Sequence, residues 1–177
     1  MLARDADNEH CMIDSTIVKA HQHSAGAKKG GHEKCQAIGG SRGGLTTKIY
    51  ATVDALGNPT GFYLTPGQAH DLEGADTLLK DTQAATVIAD KAYDAQARVI
   101  EPLLQAGQTV VIAPTSSRNY QRNYQRTYER HLYKAHHLIE NFFTRLKQYR
   151  TIATRYDKTA RNFLGTIPLA AAVVCLN

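Results

Sequence analysis

The chain has 177 residues, of which 42% are hydrophobic, and this suits one globular domain (1–177) with a substantial core rather than two full domains. Its three cysteines are odd in number and scattered, which excludes a disulfide framework and indicates a reducing compartment, and the amino terminus does not resemble a signal peptide. The net charge of +5 is uneven, because residues 118–161 carry eleven Lys or Arg against three Asp or Glu, a net +8, while the rest carries −3. Such a basic third is typical of contact with nucleic-acid phosphate, although a solubilising surface would have the same charge.

The first half of the chain predicts an antiparallel meander. Residues 11–21, "CMIDSTIVKAH", are rich in β-branched residues and predict a strand, after which a Gly- and Lys-rich loop follows. Two further strand-like runs, 45–55 and 59–67, are joined by "LGN", a connection typical of a hairpin.

The second half predicts alternating helices and strands. A helix over 71–82, with Asp71 as its N-cap, precedes a buried strand at 85–90. A second helix over 95–107 ends at Gly107. A buried strand at 109–114 and a long helix complete the pattern, so the sequence predicts an α/β fold with a mixed sheet of about five strands flanked by helices.

The carboxyl-terminal run 163–177, "FLGTIPLAAAVVCLN", is apolar but too short to span a bilayer. We therefore interpret it as a terminal helix of the core and expect no membrane association.

The stretch 133–150, "YKAHHLIENFFTRLKQYR", predicts an amphipathic helix with one carboxylate among many cations. A polar stripe outside its apolar face contains Tyr133, His136, Glu140 and Lys147. Glu140 has two interpretations, a solvated surface residue or a functional group, and only its relation to other residues can decide between them.

Upstream of that helix, "NYQRNYQRTYER" (119–130) repeats every four residues, so that its tyrosines form one helical stripe and its arginines the adjacent one. The arginines suit phosphate and the tyrosines suit exposed bases, but a tyrosine stripe is equally typical of core packing.

Two aspartates occupy unusual positions in the predicted strands. Asp14 interrupts the apolar run of the first strand, and Asp90 ends the strand "VIAD". Each has a structural alternative, a turn partner for Asp14 and a cap for Asp90. Together with Glu140 they form a set of three carboxylates that could bind two divalent cations through oxygen, and such ion pairs promote phosphodiester displacement.

At this point the sequence resembles a known family, the DDE transposases of bacterial insertion sequences. "YKAHHLIENFFTRLK" is similar to the family signature Y-x2-R-x3-E-x6-K, with Tyr133, Glu140 and Lys147 in register. The resemblance covers nearly the whole chain through the blocks "MIDSTIVKAHQHSAGAKKG", "SRGGLTTKIYATVDALGNP", "LTPGQAHD", "IADKAYD" and "RTIATRYDKTARNF". Three positions depart from the family pattern, namely His136 for the signature Arg, Thr115 in "IAPTSSRN" and Pro168 in "TIPLAAA".

The resemblance implies a ribonuclease-H-like fold in which Asp14, Asp90 and Glu140 form a catalytic triad holding two Mg²⁺ or Mn²⁺ ions. It also implies DNA cleavage and strand transfer at element ends, with element ends and target DNA as partners and the nucleoid in the cytoplasm as location. The residues expected to contact DNA are Tyr133, His136, Lys147, Arg145, Arg150, Arg42 and Lys48.

Because only 13 residues precede Asp14, the sequence predicts the catalytic part alone, acting as a homo-oligomer on DNA with a separately encoded N-terminal DNA-binding partner. Two alternatives are an inactive DNA-binding remnant that regulates the element and a solitary nuclease of the same fold. A zinc site at His21, His23, His32 and Cys35 is disfavoured because the spacing matches no common zinc pattern.

Overall fold

A mixed sheet of seven strands forms the centre of the molecule in a computed structural model that describes residues 7–25, 36–115 and 129–176. The strands are β1 (His10–Ala20), β2 (Gly39–Ser41), β3 (Gly44–Val53), β4 (Pro59–Pro66), β5 (Thr86–Ala89), β6 (Thr109–Ile112) and β7 (Thr154–Arg155). The helices are α1 (Leu72–Leu78), α2 (Glu101–Gln105), α3 (Arg130–Tyr133), α4 (His137–Leu146), α5 (Arg150–Ala153) and α6 (Ala160–Leu176).

The sheet order confirms the predicted meander followed by buried strands. β3 lies between β1 and β4 and is antiparallel to both, while β5 and β6 continue the sheet on the other side of β1 in parallel. Two short strands were not predicted, β2 beside β3 and β7 beside β1. The arrangement is the mixed α/β sheet flanked by helices that is expected of a ribonuclease-H-like fold.

Alternation along β1 divides the core into two layers. Cys11 and Ile13 pack with α1 and α2 on one face, whereas Met12 and Val18 pack with α4 and α6 on the other. By the same alternation Asp14 belongs to the α4 face and Ser15 to the α1 face. The strand that carries the first predicted catalytic residue is therefore held on both sides.

The long predicted helix is divided into shorter pieces. α3 is joined to α4 by a 3₁₀ turn at Lys134–His136, and α4 ends at Leu146 because Tyr149 adopts an extended backbone before α5 begins. The apolar face predicted for this segment is confirmed, since Ile139, Phe142 and Leu146 are buried. The tyrosine and arginine repeat lies outside the described residues up to position 128.

The terminal apolar run forms α6, which includes Pro168 and buries Phe163 and Ile167 against the α4 face. None of the helices in the described ranges is long and apolar enough to cross a membrane.

Arg155 in β7 is fully buried and joins three parts of the fold. Its Nη1 donates to Thr47 Oγ1 at 2.8 Å and to the Ala37 carbonyl at 3.3 Å, and its guanidinium lies 5.0 Å from the centroid of the Phe163 ring. Burial lowers the pKa of Arg155 to about 10, so the side chain remains cationic at neutral pH. The residue thus ties the end of β1 and β7 to β3 and α6.

Replacing this residue should cost stability. We expect Arg155→Ala to lower the free energy of unfolding by about 3 kcal/mol, because it removes buried hydrogen bonds and leaves a cavity beside Phe163. Urea denaturation measures the change, with Arg161→Ala on the exposed surface of α6 as the matched control. Equal destabilisation by the two substitutions would contradict the role given to Arg155.

Candidate active site

The first two predicted carboxylates meet where one edge of β1 is left open. β5 pairs with β1 only from His10 to Ile13, and β7 pairs only with Lys19 and Ala20. Within the described ranges, no strand covers this edge between those two contacts. Asp14 is the first residue past the paired part of β1, and Asp90 is the first residue past β5, so parallel pairing brings the two side by side.

Asp90 also has the capping role that the sequence offered as its alternative. Its Oδ1 accepts the amide of Ala92 at 2.9 Å and thereby caps the short 3₁₀ helix Lys91–Tyr93. The cap fixes the orientation of the carboxylate at the end of β5. Capping and a role in the site are therefore compatible for this residue.

Glu140 lies on α4, which packs against β1 and β3. Its side chain is 64% exposed, and its Oε1 is 3.4 Å from Nδ1 of His136 one turn earlier. The helix thus directs this carboxylate towards the same layer as Asp14.

The charges of Asp90 and Glu140 act on the carboxyl group of Asp14. Burial is the main cause that raises the pKa of Asp14 to about 6, with smaller contributions in the same direction from the charges of Asp90 and Glu140, while the Ser15 amide and His136 oppose the change. Two like charges within electrostatic reach of a half-buried carboxylate disfavour its ionised form. The sequence prediction that these three side chains come together is consistent with this arrangement.

The three carboxylates offer the oxygen ligands that suit a hard divalent cation, but they do not form a complete coordination shell. Carboxylate oxygens are the ligands that Mg²⁺ prefers, and a cation would favour the ionised form of Asp14, which burial and, to a smaller extent, the charges of Asp90 and Glu140 disfavour. Among the residues that the structure describes, however, no three Asp, Glu, His or Cys side chains already stand together as a metal-binding group. The exposed Glu140 is the member with the freedom to complete such a group.

His136 was expected on the polar surface in contact with DNA, and its position contradicts that expectation. The residue is 5% exposed, and its ring stacks on Tyr133 with centroids 5.6 Å apart and planes 4° from parallel. Its Nδ1 faces Glu140, while its buried Nε2 has no hydrogen-bond partner in the described part of the chain. The kink between α3 and α4 turns this position inward, so His136 belongs to the carboxylate cluster rather than to an outer surface.

The other residues expected to contact DNA differ in exposure. Arg145, Lys147 and Arg150 are exposed around the end of α4, and Arg42 is exposed in the turn between β2 and β3. Burial lowers the pKa of Lys147 and the nearby Asp14 carboxylate opposes the change, which places this cation beside the cluster.

Lys48, which was also expected to contact DNA, does not present a free cation in the structure. Its side chain is 9% exposed, and its Nζ donates to Asp71 Oδ1 at 2.9 Å and to the Ala69 carbonyl at 2.6 Å. Asp71 occupies the N-cap position of α1, as predicted, but its backbone is already helical and its side chain makes no cap hydrogen bond. The Asp71 carboxylate instead accepts from Lys48 and from Ser15 Oγ, the latter at 2.7 Å.

Sequence reasoning missed three neighbours of the cluster, namely Ser15, Asp71 in its observed role and Tyr93. Tyr93 is fully buried with no partner for its hydroxyl in the described residues, and burial, followed by the charges of Asp14, Asp71 and Asp90, raises its pKa. Alternation in β1 could have placed Ser15 opposite Asp14, but the long-range contact with Asp71 leaves no local signal.

Thr115, one of the departures from the family pattern, has a defined partner. It donates its amide and hydroxyl to Asp94 Oδ2 at 2.9 and 2.7 Å, which anchors the segment after β6.

Of the disfavoured zinc set, His32 and Cys35 lie outside the described residues.

Comparisons with known proteins agree with the resemblance. A family model described as a transposase DDE domain matches residues 5–175. A putative transposase for insertion sequence element IS6501 from Brucella ovis is 40% identical over 135 residues, which cover 75% of this chain and 99% of that protein. An uncharacterized protein y4sN from Sinorhizobium fredii is 70% identical over 29 residues, or 16% of this chain and 23% of that protein.

The crowding of carboxylates predicts a stability gain when one charge is removed. Because the pKa of Asp14 is raised to about 6 in the folded state, ionisation of Asp14 destabilises the fold. The full cost applies above pH 6, and the cost disappears below the pKa of the unfolded state, which is near 4. We expect Asp14→Asn to raise the free energy of unfolding by about 2 kcal/mol at pH 7 in a chelator, with the gain lost by about pH 4. Urea denaturation across this range measures it, and a gain independent of pH would contradict the electrostatic explanation.

Proposed function

The chain belongs to the family of proteins with a transposase DDE domain, and from this premise we propose that it cleaves DNA at insertion-sequence ends and transfers the freed strand to target DNA. The observation that supports the proposal is the position of Asp14 beside Asp90 at the open edge of β1, with the charge of Glu140 on α4 acting on Asp14. Three carboxylates on two strands and a helix suit metal-assisted phosphodiester chemistry.

In this proposal Asp14, Asp90 and Glu140 hold two divalent ions, Mg²⁺ or Mn²⁺. When bound, such ions lower the pKa of a water nucleophile and stabilise the attacking and leaving oxygens. Asp90 stays oriented by its bond to the Ala92 amide, and Asp14 by its bond from the Ser15 amide at 2.7 Å. His136, in the turn before α4, restrains Glu140 through its Nδ1 while leaving the Glu140 carboxylate at the surface.

The exposed cations near the end of α4 would hold the DNA backbone beside these carboxylates. Arg145, Lys147 and Arg150 are exposed, and Lys147 lies within electrostatic reach of Asp14. Cations that contact phosphates release counterions and make binding dependent on salt. Tyr133, half-buried and stacked on His136, and Arg42 in the β2–β3 turn are proposed as further contacts.

We extend the proposal to the setting of the reaction on the strength of the resemblance. The protein would act as a homo-oligomer on element ends and target DNA at the nucleoid in the cytoplasm, together with a separately encoded DNA-binding partner. These features concern the assembly rather than the described residues.

Removing any member of the triad should abolish chemistry but not binding. We expect Asp14→Ala, Asp90→Ala and Glu140→Ala each to reduce cleavage of labelled element-end DNA in Mg²⁺ or Mn²⁺ by at least about 1,000-fold, since each removes an oxygen ligand. Non-specific DNA binding should stay close to wild type, and Asp76→Ala, which removes an exposed carboxylate on α1, should change neither.

Cleavage at the wild-type rate by any one triad variant would contradict its assignment. Binding without cleavage by the wild-type protein would favour a regulatory remnant, and cleavage without strand joining would favour a nuclease.

Salt dependence should distinguish the two lysines expected to contact DNA. Lys147→Met should reduce the slope of log affinity against log salt by about one unit, because it removes a phosphate contact. Lys48→Met should leave the slope unchanged, since the ammonium of Lys48 is buried against Asp71. Fluorescence anisotropy at several salt concentrations measures both, and an equal change of slope would show that Lys48 reaches DNA.

A further inference from the structure

A hydrogen-bonded group on the reverse face of β1 lies directly behind Asp14. Ser15 follows Asp14 in the strand and points to the opposite face, where its Oγ donates to Asp71 Oδ1 at 2.7 Å. The same Asp71 oxygen accepts Lys48 Nζ at 2.9 Å. We name these three residues, Ser15, Asp71 and Lys48, the rear clamp.

The rear clamp is itself held rigidly by β3. Lys48 Nζ also donates to the Ala69 carbonyl at 2.6 Å, and the hydroxyl of Tyr50 donates to the His70 carbonyl at 3.0 Å. The segment that ends in Asp71 is therefore fixed to β3 at consecutive positions. Because Lys48 is almost fully buried, its charge needs the Asp71 carboxylate as a partner.

The connection to the proposed site runs through one peptide unit. The amide of Ser15 donates to Asp14 Oδ1 at 2.7 Å, so the orientation of that amide determines where the Asp14 carboxylate points. β3 pairs with β1 at Ser15 on one edge, but β5 does not cover β1 beyond Ile13 on the other, so strand pairing holds this part of β1 from one edge only. The restraint on the Ser15 side chain adds to the hold that β3 gives this backbone.

We propose that Asp71 is a positioning residue, which holds Ser15 through the rear clamp and so fixes the Asp14 carboxylate for metal binding. The inference rests on the proposed metal-dependent function, but Asp71 touches neither metal nor DNA in it. This positioning role explains why Lys48 and Asp71 form a buried pair, whereas a contact between Lys48 and DNA would not explain it.

Binding of Mn²⁺ to the full chain without DNA tests the consequence at the site. Ser15→Ala and Asp71→Ala should each weaken Mn²⁺ binding by about 10-fold, which is the usual effect of removing a group that orients a ligand. Ser15→Thr keeps the hydroxyl and should bind within about 2-fold of wild type. Asp76→Ala is the matched control, because Asp76 lies on α1, which follows Asp71, and forms an exposed ion pair with Arg98; this variant should bind as wild type does. Electron paramagnetic resonance of free Mn²⁺ reports the affinity.

Amide hydrogen exchange of the metal-free protein tests the clamp itself. Asp71→Ala should speed exchange of the Ser15 amide by about 10-fold relative to wild type and Asp76→Ala, because one restraining hydrogen bond is lost. Unchanged exchange, or equal Mn²⁺ affinity in wild type and Ser15→Ala, would overturn the inference. Faster exchange in a protein whose wild type binds no Mn²⁺ would support the clamp and contradict the proposed function instead.

Discussion

Burial of a carboxylate at the open edge of β1 is the constraint on which the site depends. Asp14 is half-buried and within reach of the charges of Asp90 and Glu140, so burial first and these like charges second raise its pKa and disfavour its ionised form. A fold that served stability alone would separate these groups or pair them with buried cations. An arrangement of charges that lowers stability at one edge of the sheet is typical of a site that binds a charged ligand.

The rest of the fold supports this edge from both faces. Parallel pairing with β5 ends at Ile13 and sets Asp14 beside Asp90, while α4 and the turn before it carry Glu140 and His136 on the same face. Behind the strand, Ser15, Asp71 and Lys48 restrain the backbone from the α1 face. The ends of β5 and of the paired part of β1, the helix α4 and the rear clamp thus all support one residue of β1, Asp14. The exposed cations at the end of α4 provide a surface suited to phosphate.

Local pattern was sufficient for the sheet and for most elements. β-branched runs predicted β1, β3 and β4, and the apolar periodicity predicted the buried face of α4, because burial dictates residue type at those positions. Pattern failed where contacts are long-range. A helical wheel placed His136 outside because it assumed one straight helix, and composition treated Lys48 as a surface cation although Asp71, distant in sequence, neutralises it. The side chain of Asp71 was expected to cap α1, but it binds residues of β1 and β3 that are distant in sequence and that no pattern near position 71 predicts.

We propose Asp14, Asp90 and Glu140 as a binding site for divalent ions, and anomalous X-ray scattering from crystals grown with Mn²⁺ tests that proposal most directly. We expect anomalous density beside the Asp14 and Asp90 carboxylates, with Glu140 turned towards it, and none at that position in Asp14→Ala crystals. Density elsewhere in the molecule, with these three carboxylates free of metal at saturating Mn²⁺, would contradict it.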